Sequence, residues 1–371
     1  MLQFKNGKFK IMQIADVQEI PAVSPDTVKL ISLALDREKP DLVIFTGDQL
    51  YGLLPFFRVG DVKQNVLRTL SAILRPLTER NVPFAVTYGN HDSQCGLPNA
   101  EQAKLYGTFP GYIGPESRAA DDPGTFLLTV RSQTGENKLN ILVFDSNGQL
   151  PTGEYLPVSE EQLMWFRDIS EAQRKTEGAF LPTLAFQHIP VPEYYRLLTR
   201  AKRGEKGAVE AFRTHKNEFY TLPEELRAAG GFMGESPAAP DRNSGEFEAL
   251  KTSGGVMALF VGHDHNNSFV GELDGILLAY TQGAGFHAYG PHRKRGVRII
   301  EVPEADARAF TTRTVTFDDL TNDPLHAPLL EFMLTHIPTS MEQVKRIAFV
   351  GAVTGAAGLT CALARRLRKK K

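Results

Sequence analysis

Leu42-Val43-Ile44-Phe45-Thr46-Gly47-Asp48-Gln49-Leu50-Tyr51 is a short β-branched and aromatic run that ends, one glycine later, in a carboxylate. The run is too short for a buried helix and reads as a buried strand. Four more segments have the same form. Ile11 to Ala15 leads into Asp16, Phe84 to Tyr88 into Gly89-Asn90, Leu184 to Gln187 into His188, and Val256 to Val261 into Gly262-His263-Asp264-His265. In open α/β sheets ligands bind beyond the strand ends, so one pocket can collect all of these side chains. A polar residue that merely ends a strand explains any one such position and explains five of them badly.

The segments between the runs fill in the architecture. Val28, Ile31, Leu33 and Leu35 have helical spacing within Asp26 to Glu38, and Pro40 stops that helix before the next strand. Asp61 to Arg80 repeats the pattern with Val62, Val66, Leu67, Leu70, Ile73, Leu74 and Leu77 on one face. These β-α-β passages predict a parallel sheet. From Thr125 the texture changes: Thr125 to Arg131 and Leu139 to Asp145 read as paired strands. Ser159 to Lys175 then reads as a helix that opens with the capping signal Ser159-Glu160-Glu161-Gln162. Beyond Val256, the segments Ser268 to Leu273, Ile276 to Thr281, Gly296 to Val302 and Ala309 to Thr316 are expected as the meander of a second, mixed sheet. Residues 190–245 are rich in Pro, Gly and charge, including Arg200 to Lys206 and His215-Lys216, and read as a surface insertion. Such a segment is a solvated excursion or a lid beside the pocket.

The presumed ligands run from residue 16 to residue 265 of a 371-residue chain and must converge, which implies one large catalytic domain over residues 1–318. A linker over 319–346 and a tail over 347–371 follow. Apolar residues at 42% and charged residues at 23% are ordinary for a globular protein. A net charge of −1 gives no long-range attraction to nucleic acid, so no nucleic-acid partner is expected. Cys95 and Cys361 are too few for a disulfide framework and favour a reducing compartment. The first strand begins near Phe9 without a preceding apolar segment, so no export signal is expected.

In the tail, Ile347 to Ala364 is an 18-residue stretch without charge. Lys345-Arg346 precedes it and Arg365-Arg366-Leu367-Arg368-Lys369-Lys370-Lys371 follows. As a helix at about 1.5 Å per residue it would be about 27 Å long, enough for a thin hydrocarbon core of roughly 30 Å. Gly351-x-x-x-Gly355 offers a face on which two such helices could pack. The stretch is rich in Ala and Gly, and a helix docked on the domain surface is the alternative to a membrane anchor. With six basic residues after the span and two before it, the positive-inside rule would place the body of the chain outside the cell. The missing export signal opposes that, so the expectation is a cytoplasmic or membrane-associated enzyme that faces the cytosol.

Read in order, Asp16-Val17-Gln18, Gly47-Asp48-Gln49-Leu50-Tyr51, Gly89-Asn90-His91-Asp92, Gln187-His188 and Gly262-His263-Asp264-His265 resemble the calcineurin-like metallophosphoesterase superfamily. Phe186 to Pro190, Asp145-Ser146-Asn147 and Gly262 to Asn267 look like the branch of plant and fungal purple-acid-phosphatase-like proteins and their bacterial relatives. The resemblance covers about residues 9 to 302. It implies a four-layer α/β/β/α sandwich of two mixed β-sheets flanked by helices, with a dinuclear metal site at the C-terminal strand ends. Carried over by position, Asp16, Asp48 and His265 would hold a first metal and Asp48, Asn90, His188 and His263 a second. Carboxylate, imidazole and amide oxygen suit divalent or mixed-valence Mn, Fe or Zn. A metal-bridging hydroxide would attack the ester, and His91 would stabilise or protonate the leaving oxygen while Asp92 orients its ring.

One position departs from the family pattern, because Gln18 stands where most members have a third-position His. Gln18 could bind the metal through its amide oxygen, a water could fill the place, or Tyr51 could coordinate as a phenolate. On the substrate side, the basic loop Phe286 to Arg295 offers His287, Arg293 and Arg295 as phosphate contacts, with solvated turn charges as the alternative. The expected activity is phosphomonoester hydrolysis on a phosphorylated small molecule or phosphoprotein. The alternatives are a phosphodiesterase acting on a nucleotide or lipid head group, a non-catalytic metal-binding scaffold and a membrane adaptor.

Overall fold

All five residues of Leu42–Thr46 are buried, and alternate side chains enter two different cores. Leu42 and Ile44 pack with Phe126, Ile141, Leu184 and Phe260. Val43 and Phe45 pack with Leu30, Ile31, Val66, Leu70 and Leu74. A strand buried on both faces carries no polar alternation, and this accounts for the unbroken apolar runs in the sequence.

The computed structural model describes residues 1–114, 117–119, 122–253 and 255–336. Met1–Thr335 forms one unit built on two sheets. The first has five strands in the order Thr311–Thr316, Gly296–Pro303, Lys8–Ile14, Leu42–Thr46 and Phe84–Thr87. Lys8–Ile14, Leu42–Thr46 and Phe84–Thr87 run parallel, with Ile14 opposite Phe45 and Thr46 opposite Thr87. The second sheet has eight strands, and its centre places Asn137–Val143, Thr183–Phe186, Val256–Val261 and Ile276–Tyr280 side by side and parallel. Helices Pro25–Glu38 and Val62–Glu79 cover the outer face of the first sheet. Leu163 and Phe166 of helix Glu160–Glu177, with Phe247 and Leu250 of helix Glu246–Thr252, cover the outer face of the second. The result is the four-layer α/β/β/α sandwich.

Local signals behave as their chemistry dictates. The Ser24 side chain accepts from Asp26 N and Pro25 opens the first helix. Ser159 and Gln162 form the reciprocal capping box.

Three expectations need correction. Gly296–Pro303 and Thr311–Thr316 join the first sheet, antiparallel, rather than the second. Val297 and Ile299 face one core while Ile300 and Val302 face another, so their pattern gave no indication of which edge they complete. The insertion is more than a solvated excursion: Val209–Glu210, Phe219–Thr221 and Thr199–Ala201 form a three-stranded sheet, and Phe232–Met233 pairs with Asn267–Ser268. The linker expected from residue 319 is packed structure as far as Thr335. There, buried Glu331 of helix Pro328–Thr335 pairs with His292 and lies 3.8 Å from Arg295. The apolar stretch 347–364 lies outside the described residues. Among the described residues, no helix is long and apolar enough to cross a membrane.

Candidate metal centre

The first three motif strands belong to the first sheet and Thr183–Phe186 and Val256–Val261 to the second, so the site forms where the ends of the two sheets meet. A buried polar bridge sets their relation. Gln13 Nε2 lies 3.0 Å from Thr46 Oγ1 and 3.3 Å from Val261 O, and Thr281 Oγ1 donates to Gln13 Oε1 at 2.6 Å. Asp16, Asp48 and His263 then leave their strands in the left-handed region, with φ of 52°, 52° and 75°. Non-glycine residues enter this region at a cost, and such strain concentrates at functional sites. The chain approach is close as well. A side chain on Gly89 would meet Asp48 Oδ1 at 2.2 Å, and one on Gly262 would meet Asp16 Oδ2 at 2.6 Å.

The ligand-type atoms converge. Donor atoms of Asp48, His188 and His263, all buried, lie within 4.8 Å of one another. His188 Nε2 is 3.3 Å from Asp48 Oδ2, 3.2 Å from Asn90 Oδ1 and 3.1 Å from His263 Nδ1. On the other side His265 Nε2 is 3.3 Å from Asp16 Oδ1, a buried oxygen with no hydrogen-bond partner among the described residues. The remaining nitrogens of two imidazoles are already fixed. His188 Nδ1 donates to Thr46 O at 2.9 Å and His265 Nδ1 to Tyr289 O at 2.8 Å. A carbonyl can only accept, so in each neutral ring Nε2 carries its lone pair toward the centre, as in metal-binding histidines.

The electrostatics fit a bound cation. Burial alone would lower the His188 imidazole, yet the Asp48 and Asp16 carboxylates raise it to about 10. Burial and the neighbouring His188 push His263 well below the ordinary histidine range. Burial opposes ionisation of Asp48, but the His188 and His91 imidazoles hold its carboxyl below the usual range. Buried carboxylates that hold a proton on an imidazole are where a metal ion would supply the positive charge instead. The residues present therefore fit a metal pair, with the Asp48, Asn90, His188 and His263 side the more complete.

Gln18 is buried at the centre, and its amide nitrogen lies 2.9 Å from Asp48 Oδ2. Tyr51 is half-buried, its ring centroid 6.0 Å from that of His91, and burial together with Asp48 raises its phenol. His287 Nδ1 is 2.5 Å from Glu19 Oε2, and Glu19 also accepts from Ser24 N and Thr27 Oγ1.

Other assignments are corrected by the hydrogen bonding. Asp92 does not orient His91, because its carboxylate accepts from the backbone N–H groups of Asp48, Gly89 and Leu50 at 2.8, 2.8 and 3.0 Å. It holds two ligand loops together. The partner of His91 is Gln94, whose Oε1 lies 2.7 Å from Nδ1. Arg295 is fully buried, with its guanidinium on the carbonyls of Gly285, Ala288 and Tyr289, and Arg293 binds Asp318 and the carbonyls of Thr321 and Asp323. Neither fork is available to a phosphate.

Four residues at the centre escaped the sequence reading. Besides Gln94, Tyr155 sets its ring edge-on to His263 at 4.6 Å, Tyr289 stacks on His265 at 4.2 Å, and Glu235 accepts from the Tyr289 hydroxyl. None lies at the end of one of the five apolar runs, and Glu235 follows a strand of only two residues, Phe232–Met233. Tyr289 lies in the basic loop, where the charged neighbours carry the stronger sequence signal.

Among known proteins, the chain is 29% identical over 335 residues to "Probable inactive purple acid phosphatase 29" of Arabidopsis thaliana, covering 80% of this chain and 77% of that protein. It is 26% identical over 328 residues to "Phosphatase DCR2" of Saccharomyces cerevisiae, covering 80% of this chain and 52% of that protein. A dimetal phosphatase from Danio rerio shares the fold at 14% identity, with a TM-score of 0.50 over 83% of this chain and 99% of that one. The model of the calcineurin-like phosphoesterase family matches residues 9–267. With that match, and with the metal-ligand residues gathered at the strand ends, the chain belongs to the calcineurin-like phosphoesterase family, whose members hydrolyse phosphoesters at a dinuclear metal centre.

Proposed function

We propose that the protein is a phosphomonoesterase whose substrate is a phosphorylated small molecule or phosphoprotein. The observation that carries this reading is His91, held beside the ligand cluster by two contacts. Its backbone N–H donates to Asp48 Oδ1 at 2.8 Å and its Nδ1 lies against Gln94. When bound, the two metal ions supply an activated water and positive charge for the phosphate oxygens. Asp16, His265 and Asp48 would hold one, and Asp48, Asn90, His188 and His263 the other. Because Gln94 Oε1 accepts the Nδ1 proton, His91 has Nε2 left to hold or deliver a proton at the leaving oxygen. Asp92 keeps the loops that carry Asp48 and Asn90 in register.

A non-catalytic metal binder is the competing reading, and Gln18 is the residue that favours it. The word "inactive" in the Arabidopsis name describes that protein. A scaffold has no need of an imidazole held in one orientation beside the metal ligands, and this supports the enzyme.

The test is turnover of 4-nitrophenyl phosphate and its bis-ester by protein reconstituted with Mn, beside His91→Ala and a chelated control. Metal-dependent monoester hydrolysis that collapses in the variant is expected. A preference for the diester would make the protein a phosphodiesterase, and a folded, metal-loaded protein without turnover would make it a scaffold. The apolar segment 347–364 is proposed to tether the enzyme to a membrane with the catalytic unit facing the cytosol. Deleting 346–371 should then release it from membranes and leave turnover in solution unchanged, whereas an adaptor would lose its role.

A further inference from the structure

The insertion places the Glu235 carboxylate on the first-metal side of the centre. Phe232–Met233 pairs antiparallel with Asn267–Ser268, directly after the His263-Asp264-His265 stretch. Gly234 N donates to Asn266 O at 2.9 Å, and a side chain on Gly234 would meet Asn266 Cβ at 2.7 Å. This close approach delivers Glu235. Both of its carboxylate oxygens are engaged, Oε1 by Asn266 N at 2.8 Å and Oε2 by the Tyr289 hydroxyl at 2.9 Å.

Tyr289 in turn lies flat on His265, with centroids 4.2 Å apart and planes 4° from parallel. Its carbonyl accepts the His265 Nδ1 proton. The two contacts fix both the tilt and the tautomer of the ring and aim Nε2 at the unpartnered Asp16 Oδ1. An unbroken set of contacts therefore runs from Glu235 through Tyr289 and His265 to Asp16. The first position has fewer strong donors than the second, since Gln18 points its amide nitrogen at Asp48. Its occupancy depends the more on how firmly the remaining ligands are held.

We infer that Glu235 and Tyr289 are positioning residues that set the affinity of the first metal position through His265, so that the insertion forms part of the metal centre. The inference rests on the dinuclear reading of the site. Wild type, Glu235→Ala, Tyr289→Phe and the exposed insertion control Glu225→Ala are titrated with Mn(II). Bound metal is counted, and electron paramagnetic resonance distinguishes an exchange-coupled pair from an isolated ion. Melting curves without metal report whether each variant is folded.

The expected result is two Mn and a coupled spectrum for wild type and Glu225→Ala. Glu235→Ala and Tyr289→Phe should keep one tight Mn with an isolated-ion spectrum and bind the other about 10- to 100-fold more weakly, the usual size of an outer-shell effect. Tyr289→Phe keeps the ring and the carbonyl, so it remains informative if Glu235→Ala does not fold. A coupled pair at wild-type affinity in both variants would overturn the inference. So would loss of both ions in Glu235→Ala with Tyr289→Phe unaltered, because the carboxylate would then only secure the insertion. A wild type that binds a single Mn would instead sink the dinuclear reading itself.

Discussion

The Gln18 side chain meets Asp48 through its amide nitrogen, 2.9 Å from Oδ2, and so presents a donor to a ligand where most of the family presents an imidazole. Gln18 has φ 36°, a region that His tolerates better than most non-glycine residues. Gln18→His should therefore fit the backbone and add a nitrogen ligand on the first-metal side. The expected gain in Mn affinity at the weaker position is on the order of tenfold, or about 1.4 kcal/mol. Calorimetric titration checks it, and unchanged binding would mean that the side chain at 18 takes no part in the first site.

His91 and Gln94 make the second case. Gln94→Leu removes the acceptor for Nδ1 and lets the ring turn, while every metal ligand stays in place. Proton transfer from a positioned side chain contributes about 10²- to 10⁴-fold, and a mispositioned ring should forfeit part of that. The expected outcome is a kcat lowered by about tenfold or more with little change in KM. An alkyl phosphate, whose leaving oxygen needs a proton, should suffer more than 4-nitrophenyl phosphate. An equal fall for both esters would contradict a proton-transfer role for His91.

The strand-end signal was legible because a buried strand must be apolar until the residue where it meets the pocket. Asp16, Asp48, Asn90, His188, His263 and His265 were all found that way, and the structure brings them together. The contacts behind them were not legible. Asp92 sits beside His91 in sequence, yet its carboxylate turns to the N–H groups of the Asp48 loop, while the His91 ring turns to Gln94 three residues on. Glu235 reaches the site only because Phe232–Met233 pairs with Asn267–Ser268, a long-range pairing that no local pattern announces. Arg293 and Arg295 failed for the opposite reason. Charge in a loop near the site reads as substrate binding until the carbonyls and acids that take up that charge are seen.

Arg295 accordingly bears on stability. Its guanidinium lies on three main-chain carbonyls and 3.8 Å from Glu331 Oε1, fully buried. Arg295→Met would leave the buried carbonyls of Gly285 and Ala288 without their donor and would remove the positive charge beside Glu331, which keeps His292 and Thr335 as partners, at a cost of roughly 3–5 kcal/mol. Urea unfolding should show the loss while KM stays near the wild-type value. A raised KM at unchanged stability would return Arg295 to the substrate.

Glu246 provides a pH-dependent test at a group that is not itself a metal ligand. It is buried at the first turn of helix Glu246–Thr252, and one of its carboxyl oxygens has no hydrogen-bond partner among the described residues. Burial raises its carboxyl from 4.5 to about 8. Between those two values the folded chain keeps the proton and the unfolded chain has lost it. Folding then binds a proton, and stability must fall as pH rises. The contribution is fully present below about pH 4.5 and is lost on approach to about pH 8. Glu246→Gln cannot ionise, so the variant should gain on the wild type across this window, by on the order of a few kcal/mol at its upper end. Parallel urea titrations of the two proteins at pH 5 and pH 8, as about the ends of the window, measure the difference. A gap that does not widen with pH would show that the Glu246 carboxylate is already ionised and solvated in the folded protein.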